Sequence, residues 1–328
     1  MTALLATLVL STLLCGAYLR FARARQILDV PGARSSHAQP TPHGGGAALV
    51  SAFTLGLLLA AQLYGAWDES FVTLAVSALV LMVLGVIDDL CGLSVRLRLV
   101  LYSLACLWVA ATLLPTVDTE NVLRSGGLLL LVTLAMLWTL NLYNFMDGID
   151  GIAAIQTVLA CCCAALLSWL SGHGGHYALF CLLLAAAHSG FLFWNCPPAR
   201  LFMGDAGSVP SGFLLASLAL LGAVQGQLNP LCWLVLLAAF ITDATWTLVW
   251  RMGTGQSFMQ PHRQHAYQRL SRHWGSHRRV DMLLLVLNAL WLLPLASAVQ
   301  LWPDSDLFVV ILAYVPLLFG MVKIGRLA

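Results

Sequence analysis

An all-α, polytopic integral membrane protein is the fold class this sequence predicts, and three observations carry that prediction. Hydrophobic residues make up 60% of the 328 and charged residues only 9%, against about 25% charged in an average soluble domain. Apolar runs of roughly 18–22 residues recur along the chain, each long enough to cross a hydrocarbon core of about 30 Å as a helix. The few charges fall between those runs and are shared very unequally among the loops.

About eleven transmembrane helices are expected, near 2–22, 45–64, 71–87, 99–115, 127–143, 151–171, 177–194, 210–226, 231–250, 281–302 and 307–323. At about 20 residues each they consume about two thirds of the chain. The expectation is therefore one transmembrane catalytic domain over 1–328, with cytoplasmic loops near 23–44, 88–98, 144–150, 195–209 and 251–280. The first span has no basic leader and runs directly into Arg20, Arg23 and Arg25, so it reads as a retained helix rather than a signal peptide.

With eleven crossings, fifteen of the sixteen basic residues fall on one side and only Arg124 on the other. The positive-inside rule then places the N-terminus outside and the C-terminus in the cytoplasm. The outer loops carry Asp68, Glu69, Asp118, Glu120, Asp304 and Asp306, so the remaining acids and the chemistry are expected on the cytoplasmic face. A net charge of +2 without a basic tail speaks against nucleic acid as a partner. The nine cysteines lack CxxC spacing and read as small packing residues.

Ionisable residues at the edge of a membrane are costly to place and tend to mark sites or paired charges. Asp88 and Asp89 stand at the inner end of the third span, where they serve a metal or phosphate site, or else pair with Arg96 or Arg98. In Asn141-Leu142-Tyr143-Asn144-Phe145-Met146-Asp147-Gly148-Ile149-Asp150-Gly151, three polar groups recur every third residue. Across a helix start, Asn144, Asp147 and Asp150 would share a face, and Gly148 and Gly151 would leave room for a ligand. That suits a metal-bridged phosphate at a helix N-terminus. A simple cap of the sixth span is the plainer reading, worth about 1 kcal/mol, and it needs only one aspartate. Asp205, between glycines in Gly204-Asp205-Ala206-Gly207-Ser208, offers a hard oxygen ligand for Mg²⁺.

The longest inner loop holds His262, Arg263, His265 and Arg269, which suit anionic phosphates through hydrogen bonds and bidentate guanidinium contacts. A basic interfacial stretch against anionic lipid is the alternative there. The first inner loop supplies Arg34, Ser36 and His37 as further substrate contacts, followed by Gly44-Gly45-Gly46, whose backbone N–H groups are either an anion cradle or a hinge. No Walker motif is present and the chain has a single lysine, which excludes a P-loop nucleotidase.

Taken in order, DVPGARSSHAQPTPHGGG, IDD, NLYNFMDGIDG, FMGDAGS and HRQHAYQRL resemble the polyprenyl-phosphate N-acetylhexosamine-1-phosphate transferases, bacterial membrane enzymes that start lipid-linked glycan synthesis. The likeness spans about residues 27–280, and the HRQHAYQRL loop is most similar to the branch that initiates O-antigen and related surface polysaccharides. The resemblance implies transfer of a sugar 1-phosphate from a UDP-N-acetylhexosamine to undecaprenyl phosphate, with UMP released and Mg²⁺, or Mn²⁺ in its place, as cofactor. It also implies residence in the bacterial inner membrane. On the family pattern Asp88 and Asp89 match the paired acidic motif of the carrier phosphate or its activation, Asn144, Asp147 and Asp150 the nucleotide and metal region, and Asp205 a metal-binding aspartate. Asp88, Asp89, Asp147 and Asp150 are thus the expected catalytic group, with Asp205 and Asp150 as metal ligands. Direct in-line attack is expected rather than a covalent aspartyl-phosphate.

Two other readings have distinct marks. A multi-pass transporter would place charges near mid-bilayer, where only Asp243 appears well inside a span. A different lipid-linked transferase of the CDP-alcohol kind would carry a DGxxAR signature, whereas Asp150-Gly151 is followed by Ile152-Ala153-Ala154-Ile155, without the arginine. The sequence leaves a homodimer open.

Overall fold

The structure, a computed structural model, describes residues 1–32, 39–114, 122–256 and 262–327. It runs α1 (Thr2–Ala24), a hairpin of β1 (Leu28–Asp29) with β2 (Thr41–Pro42), then α2 (Gly46–Tyr64), α3 (Glu69–Cys91), α4 (Val95–Leu113), α5 (Val122–Met146), α6 (Ile152–Leu170), α7 (Gly175–Asn195) and α8 (Asp205–Val224). There follow α9 (Pro230–Leu236), α10 (Ala238–Gly253), the short α11 (Ala266–Trp274), α12 (His277–Leu287), a π turn, α13 (Leu293–Leu301) and α14 (Asp306–Ile324). The hairpin is antiparallel, with Leu28 opposite Pro42 and Asp29 opposite Thr41. Among the described residues ten helical segments are long and apolar enough to cross a membrane, and α9 with α10 brings the crossings to eleven.

The expected spans are all present, but several ends move. α3 continues through Asp88 and Asp89 to Cys91, α5 runs to Met146, and α8 starts at Asp205 rather than near 210. Hydropathy loses these polar turns, whereas the backbone keeps them because each end finds a partner. Gly92, at φ 69°, closes α3 in the left-handed region with its N–H donating to Asp88 O. Correspondingly, the loops expected on the inner side shrink to 92–94, 147–151 and 196–204 at the three acidic mouths.

The ninth crossing departs most from expectation. Instead of one rod it bends by 71° at Leu237. No proline or glycine marks the break, so the sequence gives no sign of it. A buried amide from another helix supplies the missing partner: Gln156 Nε2 donates to Leu236 O at 2.8 Å, and freed carbonyls inside a bilayer persist only where the protein satisfies them.

α8 is the central helix, with 78% of its apolar window buried, while α14 at the rim has 17%. Close approach at its start depends on glycine. A Cβ on Gly46 would collide with the backbone of Gly207, so α2 and α8 meet backbone to backbone, as small residues allow in membrane bundles. All nine cysteines are free.

Candidate active site

At the end of the bundle that carries the hairpin lies a cavity of about 530 Å³ lined by Asp89, Asn144, Asp147, Asp150 and Asp205, with His43, Gln268 and His277 at its margin. Six helices and three loops converge there, so residues of all five sequence motifs face one space.

The paired aspartates diverge, as neighbours about 100° apart on a helix must. Asp88 is buried, accepts from Leu93 N at 2.6 Å and pairs with Arg98 Nη1 at 2.8 Å. The same guanidinium nitrogen reaches Asp205 Oδ2 at 3.2 Å. Asp89 takes the cavity side. Its two oxygens accept from Asp205 N at 3.0 Å and Ala206 N at 3.2 Å, the first N–H groups of α8. A carboxylate from α3 thereby caps α8, where the helix dipole favours negative charge.

Asn144, Asp147 and Asp150 reach the cavity by a different route from the one their spacing suggests. Asn144 occupies the last turn of α5 and the aspartates lie in the loop before α6, so they do not share a helix face. Neither aspartate caps α6, whose N-cap is Gly151 at φ 83°. Asn144 Nδ2 donates to Asp205 Oδ1 and Ser208 Oγ, both at 2.8 Å. Asp150 Oδ2 accepts from Ala199 N at 3.0 Å and lies 3.2 Å from His277 Nδ1. Asp147 has no side-chain hydrogen bond among the described residues. Burial, and then the charges of Asp205, Asp89 and Asp150, push its carboxyl well above the usual carboxylate range. Gly148 and Gly151 do not hold space for a ligand: a Cβ on Gly148 would strike the Tyr267 hydroxyl, and one on Gly151 would lie 2.9 Å from Asp281.

The glycine run is likewise committed. Gly45 N donates to Phe202 O at 2.9 Å and Gly46 N to Met203 O at 2.8 Å, so these two N–H groups pin the first loop to the GDAGS loop instead of cradling an anion. Arg34, Ser36 and His37 lie outside the described residues.

In the last inner loop, His265 is buried, with Nδ1 3.1 Å from Asp243. His262 stacks on it with ring centroids 4.9 Å apart, and Tyr267 follows at 5.7 Å. Burial, His265 and Arg251 push His262 down to about 4. Arg269 does not face the cavity; its Nη1 donates to Gly325 O and Leu327 O, both at 3.1 Å, and fastens the end of α14. Arg263 lines the same loop, and its carbonyl accepts from Arg272 Nη2 at 3.0 Å.

Among the described residues no three His, Cys, Asp or Glu side chains are grouped as a ready-made metal centre. The donor set nevertheless fits a hard cation of the Mg²⁺ kind, which keeps several waters and takes one or two carboxylates together with substrate phosphates. Asp147 has a free carboxylate on the cavity wall, and Asp205 lines the same cavity.

A family model described as glycosyl transferase family 4 matches residues 71–223, which include Asp89, Asp147, Asp150 and Asp205 of the cavity. A decaprenyl-phosphate N-acetylglucosaminephosphotransferase of Mycobacterium tuberculosis is 31% identical over 291 residues, 77% of this chain and 71% of that protein. The chain belongs to the polyprenyl-phosphate N-acetylhexosamine-1-phosphate transferase family. A probable undecaprenyl-phosphate N-acetylglucosaminyl 1-phosphate transferase of Bacillus subtilis is 28% identical over 270 residues, 80% of this chain and 74% of that protein. A phospho-N-acetylmuramoyl-pentapeptide-transferase of Wolinella succinogenes is 32% identical over 215 residues, 55% of this chain and 60% of that protein. As a member of this family the chain is a phosphotransferase.

The geometry also pairs Asp88 with Arg98, one of the two arginines expected for it, and gives roles to Ser208 and Asn195, which had none. Arg98 bridges two carboxylates from α4, Ser208 anchors Asn144, and Asn195 accepts the Gly151 N–H at 2.9 Å. Ser208 and Asn195 are polar residues within a turn of a span end, which is the one signal that would have singled them out.

Proposed function

We propose that the chain transfers N-acetylhexosamine 1-phosphate from a UDP-sugar to undecaprenyl phosphate, with Mg²⁺ as cofactor, and so initiates O-antigen or another surface polysaccharide at the cytoplasmic face of the bacterial inner membrane. The observation that carries this reading is the acid-lined cavity at the end of the apolar helices, which Asp89, Asp147 and Asp205 all line and in which the Asp147 side chain has no hydrogen-bond partner among the described residues. The N-acetylglucosamine phosphate transfer printed in the relatives' names supports the substrate class. The HRQHAYQRL loop supports the O-antigen branch, and the one-sided placement of basic residues supports the cytoplasmic face.

Both substrates carry several negative charges, so repulsion is the main obstacle to bringing them together. A bound divalent cation would supply charge neutralisation there and polarise a phosphoryl oxygen. Asp147 and Asp205 are the residues to hold it. Asn144 orients Asp205 through its amide, and Asp150 is held by Ala199 N and His277 at the loop's far side. A phosphate monoester is largely ionised at neutral pH, its second pKa being about 6. The carrier therefore needs orientation more than a strong base, and Asp89, which lines the cavity, is better placed for that than Asp88, which is spent on Arg98.

The test uses washed membranes containing the protein, undecaprenyl phosphate and a panel of labelled UDP-sugars, with and without EDTA. Formation of a lipid-linked sugar from an N-acetylated donor, abolished by EDTA and restored by Mg²⁺, is the expected result. Absence of product with every N-acetylated donor refutes the reading.

A further inference from the structure

One carboxylate in the bundle is not used by the transfer site. Asp243 lies in α10, the second half of the bent crossing, and is 4% exposed. Such a group is costly in a membrane helix unless it is paired and fully hydrogen-bonded. Here four donors converge on it. Oδ1 accepts from Ala266 N at 2.9 Å, His265 Nδ1 at 3.1 Å and Thr247 Oγ1 at 3.2 Å, and Oδ2 accepts from Tyr267 N at 3.0 Å.

Two of those donors are the first N–H groups of α11, a helix with no side-chain cap of its own at His265. Asp243 thus supplies the cap from another helix. What it holds reaches the cavity. Tyr267 Oη donates to Phe145 O at 2.9 Å, next to Asn144 and Asp147, and Gln268 lines the cavity itself. Capping alone needs only a hydroxyl or an amide. A carboxylate does one thing more: being an acceptor only, it requires the proton of His265 on Nδ1 and leaves Nε2 as the acceptor.

We propose that Asp243 is a positioning residue for the transfer reaction, which fixes the HRQHAYQ segment on the cavity wall and sets the tautomer of His265. The proposal rests on the transferase reading for its kinetic test but not for its structural one. Asp243→Asn keeps the size and Oδ1 but turns an N–H₂ group toward Tyr267 N. In full-length protein in lipid nanodiscs this variant is expected to lose about 10–100-fold in kcat, the scale of a misplaced catalytic segment. Asp243→Glu recovers part of that loss. Thr247→Val, which removes the fourth bond only, stays within about twofold of wild type on kcat.

Because part of the effect of Asp243 runs through His265, Asp243→Asn should cost clearly less in a His265→Gln background than in wild type; a merely structural cap would give fully multiplying losses. In parallel, ¹⁵N-histidine spectra, with His265 assigned by its absence in His265→Gln, should show the Nδ1–H tautomer in wild type and its loss in Asp243→Ala, which leaves no acceptor at that position. The proposal is overturned by activity of Asp243→Asn within twofold of wild type, by losses that multiply with His265→Gln, or by an Nε2–H tautomer in the wild type. If the wild type forms no lipid-linked sugar at all, the transferase reading falls, and the spectra still decide the geometry.

Discussion

Replacing Arg98 by methionine takes one guanidinium nitrogen from between two carboxylates. Arg98 Nη1 stands 2.8 Å from Asp88 and 3.2 Å from Asp205, and the side chains of Arg98, Asp88 and Asp205 are 32%, 7% and 24% exposed. Removing one partner of a fully buried pair costs about 3–5 kcal/mol, because the other charge is left without compensation. Arg98 is one third open to solvent, so screening reduces the expected loss to about 2–3 kcal/mol. Asp88 retains its bond from Leu93 N, which keeps the loss away from the upper limit. Removing the stranded charge as well, in Arg98→Met with Asp88→Asn, should return about half of the loss. Unfolding in mixed micelles, followed by tryptophan fluorescence, measures all three proteins. A loss below about 0.5 kcal/mol for Arg98→Met, or a double variant no more stable than the single one, would refute this account of the bridge.

Three further outcomes follow from the same structure. His262 is pushed from its ordinary 6.5 down to about 4, so between those values the unfolded chain binds the extra proton and stability rises with pH; His262→Gln should flatten that slope in pH-dependent unfolding, and an unchanged slope refutes the assignment. Gly46→Ala drives a methyl group into the Gly207 backbone and should cost about 3 kcal/mol or more, whereas Gly45→Ala meets the flexible Leu201 side chain and should cost less; equal melting temperatures for the two contradict the backbone contact. Asp281 is 4% exposed and neither carboxylate oxygen has a partner among the described residues, so Asp281→Leu should raise the unfolding midpoint by about 1–4 kcal/mol equivalent, and a lowered midpoint would show that the carboxylate holds a partner in the folded protein.

The helical crossings were legible because apolar length is a local property of the chain. The acids were legible for the same reason: Asp89, Asp147, Asp150 and Asp205 are conspicuous in so apolar a sequence, and all four line one cavity. What each does was not. Asp88 and Asp89 look equivalent as neighbours, yet one is tied to Arg98 and the other to the start of α8, more than a hundred residues away. Gly44-Gly45-Gly46 offered two readings, anion cradle or hinge, and the backbone chose a third, because Phe202 O and Met203 O take the N–H groups. The break at Leu237 was invisible since it depends on Gln156 from another helix. Asp243 was noticed for its depth, but its meaning lies in donors from α11.

The cap that Asp89 places on α8 also bears on the order in which the protein is put together. α3 enters the membrane with its two aspartates at its end, but the N–H groups that occupy Asp89 belong to residues 116 and 117 positions later. The amide of Asn144 likewise waits for Asp205 and Ser208, and the amide of Gln156 on α6 waits for the carbonyl of Leu236. Insertion of the spans and completion of the cavity are therefore separate events. Until the eighth helix docks, the acids of α3 stand at a helix end where water can solvate them, and the growing chain carries no finished site. Docking of α8 joins Asp89 of α3 and Asn144 of α5, and the cavity wall is complete only when α11 and α12 add Gln268 and His277.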